Sequence, residues 1–177
     1  VKSMKRQHIT YAAIGVVVLL LMLLRVRFVT TLAISFAAGF VQFFASKYNH
    51  VLKIDLGHIF FIGVLLSQTA GGVTAAAFVF LAGIIPKLMG GDIDPVILIA
   101  YAIQAVIVFI AQFFQLPIIA YGVILSLITF TIILIVTVVI DFQLIEVLDD
   151  SVAPFIINAM LFFSVGEPLL LLFQNLY

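Results

Sequence analysis

Residues 96–140 form a run of 45 positions without one charged side chain. Its polar interruptions are Gln104, Gln112, Gln115 and scattered Ser or Thr, with Pro117 and Gly122 as helix punctuation. A bilayer core about 30 Å thick takes ~20 apolar residues per helical crossing, so this run predicts two spans. Similar apolar stretches occupy 9–24, 28–46, 58–85 and 152–176, separated by short polar segments at 47–57, 86–95 and 141–151. The pattern predicts an all-α fold: one polytopic integral membrane helical bundle covering residues 1–177.

Boundary signals refine the elements. The Arg25-Val26-Arg27 turn closes a helix over 9–24 and precedes one over 28–46. Segment 58–85 reads either as one long tilted helix or as a hairpin, 58–70 and 73–85, broken near Thr69-Ala70-Gly71-Gly72, where paired glycines permit a tight turn. Asp92-Ile93-Asp94-Pro95 has the acidic cap and first-turn proline of a helix N-terminus, here opening 96–115. Pro117 opens 118–140, and Ser151 with Pro154 caps 152–176. The count is six or seven transmembrane helices. With the N-terminus inside and the hairpin counted as two crossings, Lys2, Lys5, Arg6, Lys47, Lys53 and Lys87 lie on the inner side and only Arg25 and Arg27 outside. Positive charge favours the cytoplasmic side, so this arrangement of the cell membrane is preferred over a single crossing, which moves Lys87 outward.

Composition agrees and narrows the class. Hydrophobic residues make up 66% of the 177 and charged residues 9%, against the roughly one quarter charged that covers a soluble domain. The chain has no cysteine, which excludes disulfides, thiolate metal sites and cysteine nucleophiles. Eight basic and eight acidic residues cancel, and no clustered basic face suits a nucleic acid. Lys2, Lys5 and Arg6 before an apolar run imitate a signal peptide, but Arg25 and Arg27 follow without a small-residue cleavage site, so 9–24 reads as a retained helix.

Lipid gives no hydrophobic push between helices, so small residues mark close contacts. Thr31, Ser35, Ala38 or Gly39, Gln42 and Ser46 recur at three- and four-residue steps, and Ala33 with Ala37 forms a second small pair. Gln104 and Gln115, eleven residues apart, project within about 20° of each other. They line a polar cavity or hydrogen-bond neighbouring helices. Asp55 and His58 are spaced i, i+3 at the entrance to 58–85. Such a pair relays protons, binds a cation or holds a ligand; the plain alternative is a helix cap and a headgroup-level histidine. Glu167, between Gly166 and Pro168, is either an intramembrane carboxylate at a helix break or part of an interfacial turn, with Asn158 as a polar neighbour. Asp141, Glu146, Asp149 and Asp150 match no calcium loop and read as solvated. HExxH and GxSxG are absent, as are paired aspartates for phosphotransfer and a nucleotide loop, so no catalytic residue, metal or cofactor is assigned.

The stretch from Asp55 through Gly63 to Gly71-Gly72 and the alanines after it resembles the substrate-capture (S) components of energy-coupling-factor vitamin transporters. It is also similar to the rod-shape-determining MreD family, over roughly residues 28–140; segment 9–24 is an addition to that pattern. The resemblance implies a small-molecule or lipid-binding transporter subunit that works with a transmembrane coupling subunit and ATPases. Ala33 and Ala37 then correspond to the small-residue face by which S components dock. The expected ligand-binding residues are Asp55, His58, Gln68, Gln104 and Glu167, and the expected packing or partner face is Ala33, Ser35, Ala37, Gly39 and Gln42. Two other readings stand beside this one: a non-transporting scaffold in the MreD manner, and a small homo-oligomeric channel.

Overall fold

The structure is a computed structural model that describes residues 26–52, 57–90, 95–114, 116–141 and 144–177. The helix expected over 9–24, Asp55 and Gln115 lie outside the described residues. Every element among the described residues is helical: α1 (Val26–Leu52), α2 (His58–Thr69), α3 (Gly72–Met89), α4 (Pro95–Ala111), α5 (Ile118–Asp141) and α6 (Leu144–Leu176).

At the centre stands α2. Ile59, Phe60, Phe61, Gly63, Val64, Leu65, Leu66 and Ser67 are all buried, so the helix is enclosed on every side rather than along one stripe. It packs against α3, α4 and α6, while α1 lies along α3. The α5–α6 pair is an antiparallel hairpin: Gly122 lies under Phe162, and Phe130 meets Phe155 at 5.7 Å between centroids. Phe162 in turn stacks edge-on against Phe61 of α2 at 4.8 Å, which joins the hairpin to the core.

Gly71 turns the chain from α2 into α3 with φ 94°, a conformation L side chains rarely adopt. Gly57, at φ 59°, lies where an added Cβ would be 2.4 Å from the Asn158 amide of α6. That glycine combines a left-handed backbone with contact to α6 and so seats the start of α2.

Within α3 the hydrogen-bond ladder widens to π over Phe80–Ile84, and the Ile85 N–H donates to the Phe80 carbonyl. Pro86 follows immediately and cannot donate, and a π turn is one way a helix absorbs such a break.

Three boundaries differ from the sequence pattern. The last helix begins at Leu144 instead of 152 and runs unbroken past Ser151, Pro154 and Pro168 to Leu176. Gly166 and Pro168 therefore do not break it; apolar helices tolerate proline within a bundle. The 96–115 helix ends at Ala111, where Phe113 and Phe114 donate to the Ile110 and Ala111 carbonyls in turns before Pro117. A residue preceding proline is steered out of the α region, which favours this early stop. At its other end α1 extends to Leu52, past the expected 46.

Among the described residues three helices are long and apolar enough to cross a membrane: Gly72–Met89 (18 residues), Ile118–Ile140 (23) and Val152–Leu176 (25). The apolar parts of the others are shorter: Val29–Ala45, His58–Thr69 and Pro95–Ala111. The twelve residues of α2 rise only about 18 Å, against a core ~30 Å thick. Against the expected six or seven crossings, the described residues hold three helices of crossing length; burial inside the bundle lets α2 be apolar without being long.

Candidate functional site

The inner face of α1 is built from small and polar residues. Thr31, Ser35, Ala38, Gly39 and Gln42 are buried, whereas Ala33 and Ala37 lie on the exposed face beside Phe36, Phe40 and Phe44. The expected five-residue packing face therefore splits, with Ser35, Gly39 and Gln42 turned into the protein and Ala33 and Ala37 turned out. Gly39 packs on Ala82 and Pro86 of α3, where an added Cβ would be 3.2 Å from the proline ring. Gln42 donates through Nε2 to the Tyr101 hydroxyl of α4 at 2.9 Å. The Tyr101 ring lies against Gly83, 2.7 Å from where a Cβ would stand. At the start of the helix Thr31 Oγ1 and the Tyr177 hydroxyl share a hydrogen bond of 2.8 Å, tying α1 to the end of α6. Burial pushes the Tyr177 phenol above its ordinary pKa, and the Thr31 bond pulls weakly the other way.

His58 and Gln68 occupy opposite ends of α2, about 15 Å apart along its axis. His58 Nε2 lies 3.3 Å from the Ala38 carbonyl, and Gln68 Nε2 donates to the Ala111 carbonyl at 2.9 Å and the Phe114 carbonyl at 3.3 Å. The last carbonyls of a helix lack intrahelical donors, so Gln68 closes the end of α4. Gln112 does the converse: its Oε1 accepts the Gly72 N–H at 2.8 Å at the start of α3. The two glutamines stitch the α2–α3 turn to the end of α4. Gln112 was legible only as a polar interruption, because its partner is 40 residues away.

Gln104 is half-buried, and its Oε1 is buried with no hydrogen-bond partner; the same is true of the hydroxyls of Ser35 and Ser67. These two serines differ from Ser126, Thr129 and Thr137, whose hydroxyls bond back to the carbonyl one turn earlier. Glu167 is exposed on the outer face of α6. The four described residues of the expected ligand set are thus spread over two ends of α2, one face of α4 and the outside of α6, and they do not surround one space. Asn158, expected beside Glu167, is buried and donates instead to the Pro154 carbonyl at 2.9 Å.

Lys87, given in the sequence only an orientation role, is buried near the end of α3. It stands one turn beyond Gly83, whose Cα faces Tyr101. Among the described residues no group of three or more His, Asp or Glu is arranged to hold a metal ion.

Comparison with protein-family models, with curated proteins and with solved structures returns no match for this chain. What the fold and these residues define is a helical protein with, among the described residues, three apolar helices of membrane-crossing length.

Proposed function

We propose that the chain is a non-enzymatic subunit of the cell membrane that works through contacts with other membrane proteins. The observation carrying this reading is the division of labour on α1. Its polar residues Thr31 and Gln42 are spent on bonds inside the protein, while Ala33, Ala37, Phe36 and Phe40 form an apolar outer ridge. Gln68 and Gln112 are likewise spent on backbone groups of the chain itself. This arrangement supports a body that packs and docks over one that opens around a cargo. In this reading the N-terminus is cytoplasmic, and the full count of six or seven crossings includes the segment 9–24 and the shorter helices. An S component docking on a coupling subunit and an MreD-like scaffold are the two forms it takes.

A second reading, binding of a small molecule or lipid, is favoured by the buried, unpartnered Oε1 of Gln104 and hydroxyls of Ser35 and Ser67, since such groups generally find a partner. Native mass spectrometry of the protein extracted with its surrounding lipid separates the two. Partner subunits in fixed stoichiometry, lost with Ala33→Leu and Ala37→Leu, are expected. A bound small molecule lost with Gln104→Leu, in a protein carrying no partner, would overturn the docking reading. A ring of identical copies would turn the assignment to a homo-oligomeric channel.

A further inference from the structure

Glu167 is a carboxylate on the outside of a membrane-length helix. The apolar stretch Val152–Leu176 has its midpoint at Ser164, so Glu167 stands only about 5 Å beyond it along the axis. Polar residues mark both ends: Asp149 and Asp150 precede the stretch, and Gln174 and Asn175 lie at its other end. The helix is continuous, so no break carries Glu167 to an interface. The side chain is exposed, and among the described residues it makes no hydrogen bond and no ion pair. A carboxylate at that depth facing hydrocarbon is costly, and such residues are generally paired.

The surroundings of Glu167 form a surface. Ser164, Glu167, Leu171 and Gln174 recur at steps of three, four and three, all exposed, which places them along one side of α6. Phe163 and Met160 flank the row and are also exposed. Between helices in lipid, polar side chains of this kind bond across the contact.

Charge decides what fits. A second copy of this chain, related by an axis along the membrane normal, would bring its own α6 to the same depth and set Glu167 against Glu167. All eight basic residues lie at or before Lys87, and Lys87, inside the Gly72–Met89 stretch, is buried near its end; among the described residues none pairs with Glu167. The countercharge is therefore assigned to another protein.

Resting on the membrane reading above, we propose that the Ser164–Glu167–Leu171–Gln174 face of α6 docks a transmembrane helix of a different protein, one that presents a Lys or Arg at the depth of Glu167. The lipid-facing sides of α5, with Leu127, Ile135 and Val139 exposed, carry no such group and meet acyl chains.

Photo-crosslinking of the full-length chain in its native membranes tests this. A benzophenone amino acid is placed at Leu171, one turn from Glu167, or at Ile135 of α5 as the lipid-facing reference. The expected result is a protein adduct from position 171 and none from 135. Its crosslinked peptide maps to an apolar segment of another chain containing Lys or Arg. Glu167→Ala lowers the adduct at least tenfold, while Glu167→Asp retains part of it. Because Glu167 is exposed, both variants are expected to keep the wild-type melting temperature, which is measured alongside. Lipid adducts alone at 171, adducts between copies of this chain, or a protein adduct indifferent to Glu167→Ala would each overturn the proposal. Release of the chain from membranes by alkaline carbonate would overturn the membrane reading itself, a result distinct from retention with lipid adducts only.

Discussion

The α2–α3 centre and the α5–α6 hairpin are both apolar, yet they are stabilised in different ways. In α3, 44% of the Gly72–Met89 stretch is buried, while the most apolar stretch of α6 is 17% buried. The centre is held by shape: Gly63 between Val79 and Val108, Gly72 against the Phe109 carbonyl, Gly83 under Tyr101. The hairpin shows its Ile, Leu and Val side chains outward and touches the centre through Phe162 and through Asn158 against Gly57. Hydrophobicity alone does not distinguish the two regions. What distinguishes them is the frequency of glycine and buried aromatics, which signals helix against helix, as opposed to helix against lipid.

The contrast can be broken by mutation, most severely where the two regions meet. Phe162→Ala removes a fully buried ring from between Gly122 and Phe61 and should cost ~3–5 kcal/mol, read as thermal unfolding in lipid nanodiscs. Gly72→Ala places a methyl 2.4 Å from the Phe109 carbonyl oxygen, a backbone atom that cannot swing aside, and should cost ~1–3 kcal/mol in the same assay. A smaller loss, ~0.6–2 kcal/mol, is expected for Gln42→Leu, which deletes the bond to Tyr101; a loss equal to that of Phe162→Ala would mean that polar contacts, and not shape, hold the centre. On the hairpin, Val139→Ala at an exposed position should change stability by less than ~0.5 kcal/mol, and a large effect there would show that α5 is covered by protein.

A pH series sharpens the edge between the regions. Tyr177 has its folded-state pKa raised by burial, so the protonated phenol is the form the fold prefers. Its contribution is complete below the unfolded value near 10 and is lost as pH rises through the higher folded value. Alkaline destabilisation should therefore shrink in Tyr177→Phe, measured by melting temperature above pH 10 in the two proteins.

Much of this was readable along the chain, because hydropathy and glycine are local signals. The Gly71-Gly72 pair marks a turn, and the small face of α1 with Gln42 at its end marks a buried stripe. Side-chain destinations were not readable. Whether Gln68 lines a space or closes a helix depends on Ala111 and Phe114, more than 40 residues away. Glu167 looked like part of a break because Gly166 and Pro168 flank it, and proline's effect depends on what surrounds the helix. The direction in which Glu167 points follows from which side of α6 receives Phe162 and Phe173, both buried. Lys87 entered the sequence reading only as a charge that orients the chain, while its burial comes from the packing of α1 on the end of α3.

The π segment of α3 also has a consequence for register. A π turn holds one residue more than an α turn, so every side chain after Ile84 is set back by about 100° relative to an uninterrupted helix. Pro86 beneath Gly39, and Lys87 after it, owe their inward facing to that offset. Relaxing 80–84 to a plain α ladder at full length would rotate the helix end away from α1, whereas deleting one residue there would straighten the ladder and keep the facing. The end of α3 is thus keyed to one surplus residue, and a deletion at that place would be read by the fold as a change of length instead of a change of direction.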